Sequence, residues 1–395
     1  MFALSADQQV VLDRVRQCLA DEDGPRVVVV AGAAGTGKSA LALTLLGEAL
    51  RAGRRARHAT GSQAFTTALR KTAGHGSRAT QKLFQYFGTV TDAEPGGLDL
   101  LVCDDAHQLR ATSNTRYTPA SRRSDRTQAV QLLETARVVV FLLDEDQALR
   151  PGQIGARDYL TAAARASGAT VHSAELTSQH RHRSACYDSW VRRLLGLDDP
   201  LRQPAPWSKE SAPRFELRVA DSPGELEQLL HTKTALGASA RITAGLCWPW
   251  RDARPGHPLG EDIVIGGWRR PWCVKGQRAV NGLPPSSLWA IDPAGAGQVG
   301  NVYSAQGFEY DYGGVILGPD LLWRGNRWIT DPAATRDDAL AGARAADVDL
   351  WVRRTYRVLF TRASAGTVFY SADTETRALL RDLIATSSRY AALCR

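Results

Sequence analysis

The sequence predicts an α/β chain of two tandem units, each built on a parallel central sheet. Three observations carry this. Apolar runs of strand length at residues 27–31, 98–103 and 136–143 alternate with helix-patterned stretches, and parallel strands need such crossovers. The glycine-rich turn Gly32-Ala33-Ala34-Gly35-Thr36-Gly37-Lys38-Ser39 joins the first run to a helix-like stretch at 40–46. Finally, 395 residues exceed what one core ordinarily organises.

Taken in order, residues 4–19 read as a helix, 27–31 as a buried strand, and the stretch after the glycine-rich turn as a second helix. A polar turn follows at Thr60-Gly61-Ser62, then strands at 98–103 and 136–143. Residues 111–126 are polar, basic and aperiodic, as in an exposed loop. Beyond a Pro-, Gly- and Asp-rich break at 196–213, strands are expected at 241–246, 313–318 and 367–370, with helices at 353–359 and 374–384. The expected division is 1–170 and 171–395.

Hydrophobic residues make up 44% and charged residues 23%, a globular balance. No apolar run reaches membrane-spanning length, and the first residues lack a basic segment followed by an apolar one, so a cytoplasmic protein is expected. The six cysteines are scattered, with Cys18 and Cys103 in apolar surroundings as small core residues. His180, His182 and Cys186 lack the second cluster that would complete a zinc site. A net charge of +8 leans toward a polyanionic partner, although an Arg-rich genome bias gives the same excess.

The turn at 32–39 is a phosphate cradle. Glycines let backbone N–H groups converge on anionic oxygens, and the helix that follows adds its positive end. Lys38 would reach the β- and γ-phosphates, and the Ser39 hydroxyl would hold Mg²⁺. Leu101-Val102-Cys103-Asp104-Asp105 ends the second buried run on two carboxylates. Asp104 is placed to bind Mg²⁺ opposite Ser39, and Asp105 to orient or deprotonate water. Together these imply binding of a nucleoside triphosphate with Mg²⁺.

Read in order, these segments resemble a superfamily 1 helicase motor, and specifically the bacterial Schlafen-like DNA/RNA helicase group. Leu4-Ser5-Ala6-Asp7-Gln8 looks like the family's adenine-reading glutamine motif, and 32–39 and Asp104-Asp105-Ala106-His107 like motifs I and II. Asp144-Glu145-Asp146-Gln147 resembles motif III, whose glutamine contacts the γ-phosphate. Arg181, closing Leu176-Thr177-Ser178-Gln179-His180-Arg181, has the place of the phosphate-reading arginine of motif IV. Residues 302–311, with Ser304, Gln306, Gly307 and Glu309, resemble motif V, and Thr361-Arg362-Ala363 resembles motif VI with Arg362 as the arginine finger. Blocks at 244–250 and 318–321 match further segments of the group.

The resemblance implies two tandem RecA-like P-loop domains, with ATP hydrolysed in the cleft between them. It places Gln8, the 32–39 loop, Gly307 and Glu309 at the nucleotide, and Lys38, Asp105, Gln147, Arg181 and Arg362 in catalysis. Arg181 and Arg362 lie far along the chain from Lys38, so only a second domain could bring them there. Asp105 stands where the family usually has glutamate, one methylene longer; Glu145 or Asp146 could compensate.

The same resemblance implies single-stranded DNA or RNA as partner. Thr60 and Ser62 are candidates for backbone contacts, with His58, Lys71 and Arg78 nearby as basic additions. Trp250, Ser304, Arg324 and Arg327 are further candidates; aromatic and basic residues interleave at 248–251, 268–272 and 323–328. Trp190 and Trp248 read as core, and 324–328 as exposed. A protein partner such as a nuclease leaves no motif in this chain. The rival readings are an ATP-binding nucleic-acid switch with slow hydrolysis and a protein-directed P-loop NTPase.

Overall fold

The computed structural model describes residues 4–91, 94–114, 118–181, 185–208 and 214–393. The chain divides into two compact units between His180 and Arg181. In the first, α1 (Ala6–Ala20), β1 (Arg26–Gly32), α2 (Lys38–Arg51), β2 (Ala56–Thr60), α3 (Gln63–Thr72), α4 (Arg78–Gln81), β3 (Phe84–Tyr86), α5 (Phe87–Val90) and β4 (Leu98–Asp104) follow in order. Then come α6 (Gln128–Thr135), β5 (Ala136–Leu143), α7 (Arg157–Ala166) and β6 (Thr170–Leu176). The six strands form one sheet in the order β3-β2-β4-β5-β1-β6, every pair parallel.

Both faces of this sheet are buried, which is why β1 reads as an unbroken valine run rather than an alternating one. Val28 and Val30 pack on one side with Leu41 and Leu45 of α2. Val27 and Val29 face the other, with Leu132 and Leu160. The break expected after residue 170 falls later, because Thr170–Leu176 completes the sheet: it pairs with β1 from Arg26↔Thr170 to Gly32↔Leu176.

The second unit runs α8 (Ala185–Leu194), β7 (Glu216–Val219), α9 (Pro223–Ala235), β8 (Ala240–Ala244), β9 (Ile263–Ile265), β10 (Trp268–Arg270), β11 (Val299–Gly300) and α10 (Val302–Ala305). It continues β12 (Tyr310–Leu317), β13 (Leu321–Arg324), β14 (Arg327–Thr330), α11 (Ala345–Phe360), β15 (Ala363–Ser371) and α12 (Thr374–Leu393). Its five-stranded sheet, β11-β8-β12-β15-β7, is again all parallel. Two antiparallel ribbons, β9–β10 and β13–β14, are added.

Two polar knots organise this unit's interior. Arg357 of α11 and Asp188 of α8 form a buried ion pair at 3.1 Å. The Tyr356 hydroxyl donates to Asp320 at 2.5 Å and accepts the Gly318 N–H at 2.8 Å. Gly245 is fixed by the same phenol, since a Cβ there would lie 2.1 Å from the Tyr356 oxygen. The blocks at 244–250 and 318–321 therefore meet around one tyrosine.

Candidate nucleotide-binding site

The glycine-rich loop leaves β1 and enters α2 through two left-handed residues, Gly35 (φ +87°) and Gly37 (φ +76°). At Gly37 a side chain is excluded twice, by its φ and by the Gln8 amide 2.3 Å from where a Cβ would sit. Each carbonyl from Gly32 to Thr36 accepts a hydrogen bond. Lys38 Nζ donates to Gly32 (2.6 Å) and Ala33 (2.9 Å), Gln179 Nε2 to Ala34 (2.7 Å), the His180 N–H to Gly35 (2.9 Å), and Gln8 Nε2 to Thr36 (2.9 Å). Carbonyls tied down in this way suit a loop whose N–H groups are to receive anionic oxygens, with the Thr36 N–H turned back on the Ala33 carbonyl at 3.3 Å.

This bracing gives roles that sequence reasoning missed. Asp7 accepts the N–H groups of Thr177 (2.8 Å) and Ser178 (2.9 Å), anchoring the segment that carries Gln179 and His180 to the loop. Burial raises the Asp7 carboxyl, but the Ser5 hydroxyl and those N–H groups outweigh it and hold it well below the carboxylate range. Gln8 is placed differently from an exposed base reader. Its side chain is buried, with Oε1 taking the Ser5 N–H (3.0 Å) at the α1 N-terminus and Nε2 on the loop.

Asp104, at the end of β4, is fully buried. Its Oδ1 accepts the Asp105 N–H at 3.0 Å, while Oδ2 has no hydrogen-bond partner. Burial pushes this carboxyl up, yet His58, Ser39 and Lys38 beside it bring it net below the ordinary range. An anionic oxygen next to a hydroxyl suits a hard cation such as Mg²⁺, which is usually held by one or two carboxylates together with phosphates. Among the described residues no cluster of three or more His, Cys, Asp or Glu could hold a metal alone. His182 of the zinc alternative lies outside the described residues.

Asp105 is held in the left-handed region (φ 53°, ψ 42°). That backbone suits Asp or Asn better than glutamate. His107 accepts the Asp144 N–H at 3.3 Å, and Asp144 in turn accepts Gln147 Nε2 at 2.9 Å, so Gln147 is oriented through motif II. Glu145 is turned away to the start of α7, where it accepts the Arg157 N–H at 2.6 Å.

In the second unit, Arg181 pairs with Glu309 (2.6 Å) and donates to the Thr361 carbonyl (3.0 Å). Gly307 takes φ +90° two residues before Glu309. The Arg362 side chain is buried, its Nε donating to the Val358 carbonyl at 2.9 Å. Arg181, Glu309 and motif VI are thus brought together.

Several expected nucleic-acid contacts have internal roles instead. Thr60 and Ser62 are buried; the Thr60 hydroxyl accepts the Ser62 N–H, and Ser62 Oγ caps α3 by accepting the Phe65 N–H at 3.2 Å. His58 is fully buried and cannot meet a phosphate, whereas Lys71 and Arg78 are exposed. Ser304 is buried in a reciprocal cap with Asn301. Trp250 is half-buried, its indole N–H on the Cys273 carbonyl at 2.8 Å. Of the 324–328 stretch, the turn residues Gly325 and Asn326 are exposed as expected, whereas Trp328 is buried edge-on against Trp323 at 5.4 Å and Arg324 is paired with Asp373 at 2.5 Å. Arg327 is exposed. Trp190 is core, as expected, and Trp248 is half-buried against the core of the second unit.

A cavity of about 250 Å³ opens where β2 and β3 end, lined by Thr60, Gly61, Tyr86, Phe87, Gln108 and Arg110 among others. Gly61 makes room for the Gln108 side chain, which lies 2.6 Å from where a Cβ would be. Crevices at the carboxyl ends of parallel strands are where open α/β sheets bind ligands.

Residues 25–373 match the family described as Schlafen group 3, DNA/RNA helicase domain. No curated protein matches the chain in sequence. Among solved structures, the chain is similar to AMPPCP-bound DnaA from Aquifex aeolicus, with 17% identity and TM-score 0.25 over 51% of this chain and 55% of that one. It is also similar to Pif1 helicase from Candida albicans, with 11% identity and TM-score 0.37 over 99% and 100% of the two chains. This chain spans about half the length of the DnaA structure, 55% of it.

Proposed function

Because the chain belongs to the Schlafen group 3 DNA/RNA helicase domain family, we propose that it is a nucleic-acid-dependent ATPase of helicase type. The observation that carries the nucleotide part is the braced loop: five consecutive carbonyls, Gly32 to Thr36, are tied down beside Lys38, Ser39 and Asp104. In this reading the loop N–H groups and Lys38 bind the triphosphate, and Gln147 and Asp105 position the attacking water. Ser39 and Asp104 would hold Mg²⁺, which supplies charge neutralisation at the phosphates when bound. Arg181 and Arg362 bring positive charge to the γ-phosphate from the second unit, acting on charge that develops as the phosphoryl group leaves.

Single-stranded DNA or RNA is the proposed activator. The cavity beside Tyr86 and Phe87, with Arg110 in its wall, combines aromatic surface with a cation as single-strand sites do. The second reading, a nucleotide-binding switch that hydrolyses slowly, is favoured by one observation: the short Asp105 carboxylate sits on a backbone that disfavours its longer homologue. Single-turnover ATP hydrolysis with and without single-stranded DNA or RNA separates the two. Stimulation of tenfold or more supports the helicase-type ATPase. Tight ATP binding with hydrolysis indifferent to either polymer supports the switch.

A further inference from the structure

We propose that His58 is a positioning residue for Asp104, holding the carboxylate through which the first unit takes its divalent cation. The inference rests on the reading of Asp104 and Ser39 as the Mg²⁺ side of the nucleotide site, and adds to it a residue that no phosphate-binding motif contains.

His58 lies on β2 and Asp104 on β4, neighbouring strands paired His58↔Val102 and Thr60↔Asp104, so both side chains project on the same face of the sheet. Both are completely buried. His58 Nε2 is 3.6 Å from Asp104 Oδ2. Neither ring nitrogen of His58 has a hydrogen-bond partner, and Oδ2 has none either. A buried polar atom left unpaired costs roughly 1–3 kcal/mol, and three such atoms lie together here. The imidazole stands edge-on to Phe65 (6.2 Å) and Phe84 (5.8 Å), which restrict its rotation, and Nε2 is the ring nitrogen beside the carboxylate. A closer approach of roughly half an ångström turns the 3.6 Å contact into a hydrogen bond of ordinary length.

An apolar residue would fill the space between two phenylalanines without stranding two nitrogens, so packing alone does not account for histidine at this position. A donor at Oδ2 accounts for Nε2, the nitrogen beside the carboxylate. With Oδ1 held by the Asp105 N–H and Oδ2 steadied by His58, the carboxylate is fixed at both oxygens and keeps lone pairs for a cation. Groups that orient ligating carboxylates typically change metal affinity by 10- to 100-fold when removed.

The test is the Mg²⁺ dependence of nucleotide binding, followed with a fluorescent ATP analogue on the full chain, in EDTA and across a Mg²⁺ titration. Asp104→Asn is the control for the underlying reading: if it leaves the Mg²⁺ dependence unchanged, Asp104 is not the cation ligand and the reading fails with the proposal. If Asp104→Asn abolishes that dependence, His58 is judged by three variants. His58→Leu is expected to raise the half-saturating Mg²⁺ concentration at least tenfold while binding in EDTA stays as in the wild type. His58→Gln, whose amide nitrogen reaches about where Nε2 was, should stay within roughly threefold of wild type, and His58→Asn, whose amide reaches only to Nδ1, should behave like leucine. The glutamine–asparagine pair carries the comparison if the leucine variant does not fold. Wild-type Mg²⁺ dependence in His58→Asn, or equal losses in glutamine and asparagine, overturns the proposal and leaves His58 a packing residue.

Discussion

Arg181 Nε lies 2.6 Å from Glu309 Oε2, so two residues expected at the nucleotide hold each other within the second unit. A phosphate must compete with that carboxylate for the guanidinium. Pairs of this partly exposed kind contribute about 0.2–1 kcal/mol. Glu309→Gln is therefore expected to tighten ATP binding roughly two- to fivefold, whereas Arg181→Ala should lower turnover far more than affinity. Equilibrium binding alongside single-turnover hydrolysis checks both; an unchanged affinity in Glu309→Gln shows that the pair persists when ATP binds.

Lys38→Ala removes the loop's side-chain cation together with its bonds to Gly32 and Ala33. Hydrolysis is expected to fall at least tenfold. A variant keeping more than about a tenth of the wild-type rate would place the triphosphate elsewhere.

Asp105 invites a three-way comparison. Asparagine tolerates the same left-handed backbone, so Asp105→Asn isolates the carboxylate: ATP binding should persist while hydrolysis drops. Asp105→Glu restores the family's longer acid, and turnover should equal or exceed wild type at a stability cost of up to roughly 1 kcal/mol from the strained backbone. Undiminished hydrolysis in Asp105→Asn would move the base to another acid; Glu145 is the weaker alternative, because it already caps α7.

For nucleic acid, the two arginines of the β13–β14 ribbon should behave differently. Arg327 is exposed, while Arg324 is neutralised by Asp373. Arg327→Ala is expected to flatten the slope of log affinity against log salt by about 0.7, one single-strand phosphate contact. Arg324→Ala should leave the slope alone and lower the melting temperature. Equal flattening by both would mean that Arg324 leaves Asp373 for phosphate.

Asp320 sets a pH dependence. Burial raises its carboxyl above the ordinary value, so the fold favours the neutral acid. That stabilisation is complete below the ordinary carboxylate pKa of about 4 and is lost as pH climbs through the raised value. Asp320→Asn keeps an acceptor for Tyr356 and cannot ionise. Urea midpoints across this range should decline for wild type and stay flatter in the variant; parallel declines would assign the loss to other groups.

The strands most legible in the sequence are those buried on both faces. β1, β4 and β5 are apolar runs because their polar side chains are confined to the strand ends, Arg26, Asp99 and Arg137 at the starts and Asp104 at the close of β4. β2, Ala56-Arg57-His58-Ala59-Thr60, is just as central but carries buried polar groups in place of valines, and its pattern is lost. β6 is an edge strand with exposed Thr170 and Glu175, so no apolar face announces it. At the site, the phosphate loop is legible because glycine spacing is a local constraint. The roles of Gln8, Gln179 and Ser304 are not, because each amide or hydroxyl can serve a ligand or the fold, and only its tertiary partner decides which.

The place of β1 in the sheet also governs when the loop can exist. Both of its hydrogen-bonded neighbours, β5 and β6, are encoded more than a hundred residues downstream, as the pairings Arg26↔Val138 and Arg26↔Thr170 show. During synthesis, the glycine-rich turn leaves the ribosome long before either flank is available, and Gln179, which ties down Ala34, comes later still. Nucleotide capture is therefore a late event in the biogenesis of this chain. Until residue 143 has emerged, the valine-rich β1 has neither neighbour and is an unpaired, aggregation-exposed segment, the kind that nascent-chain chaperones shield.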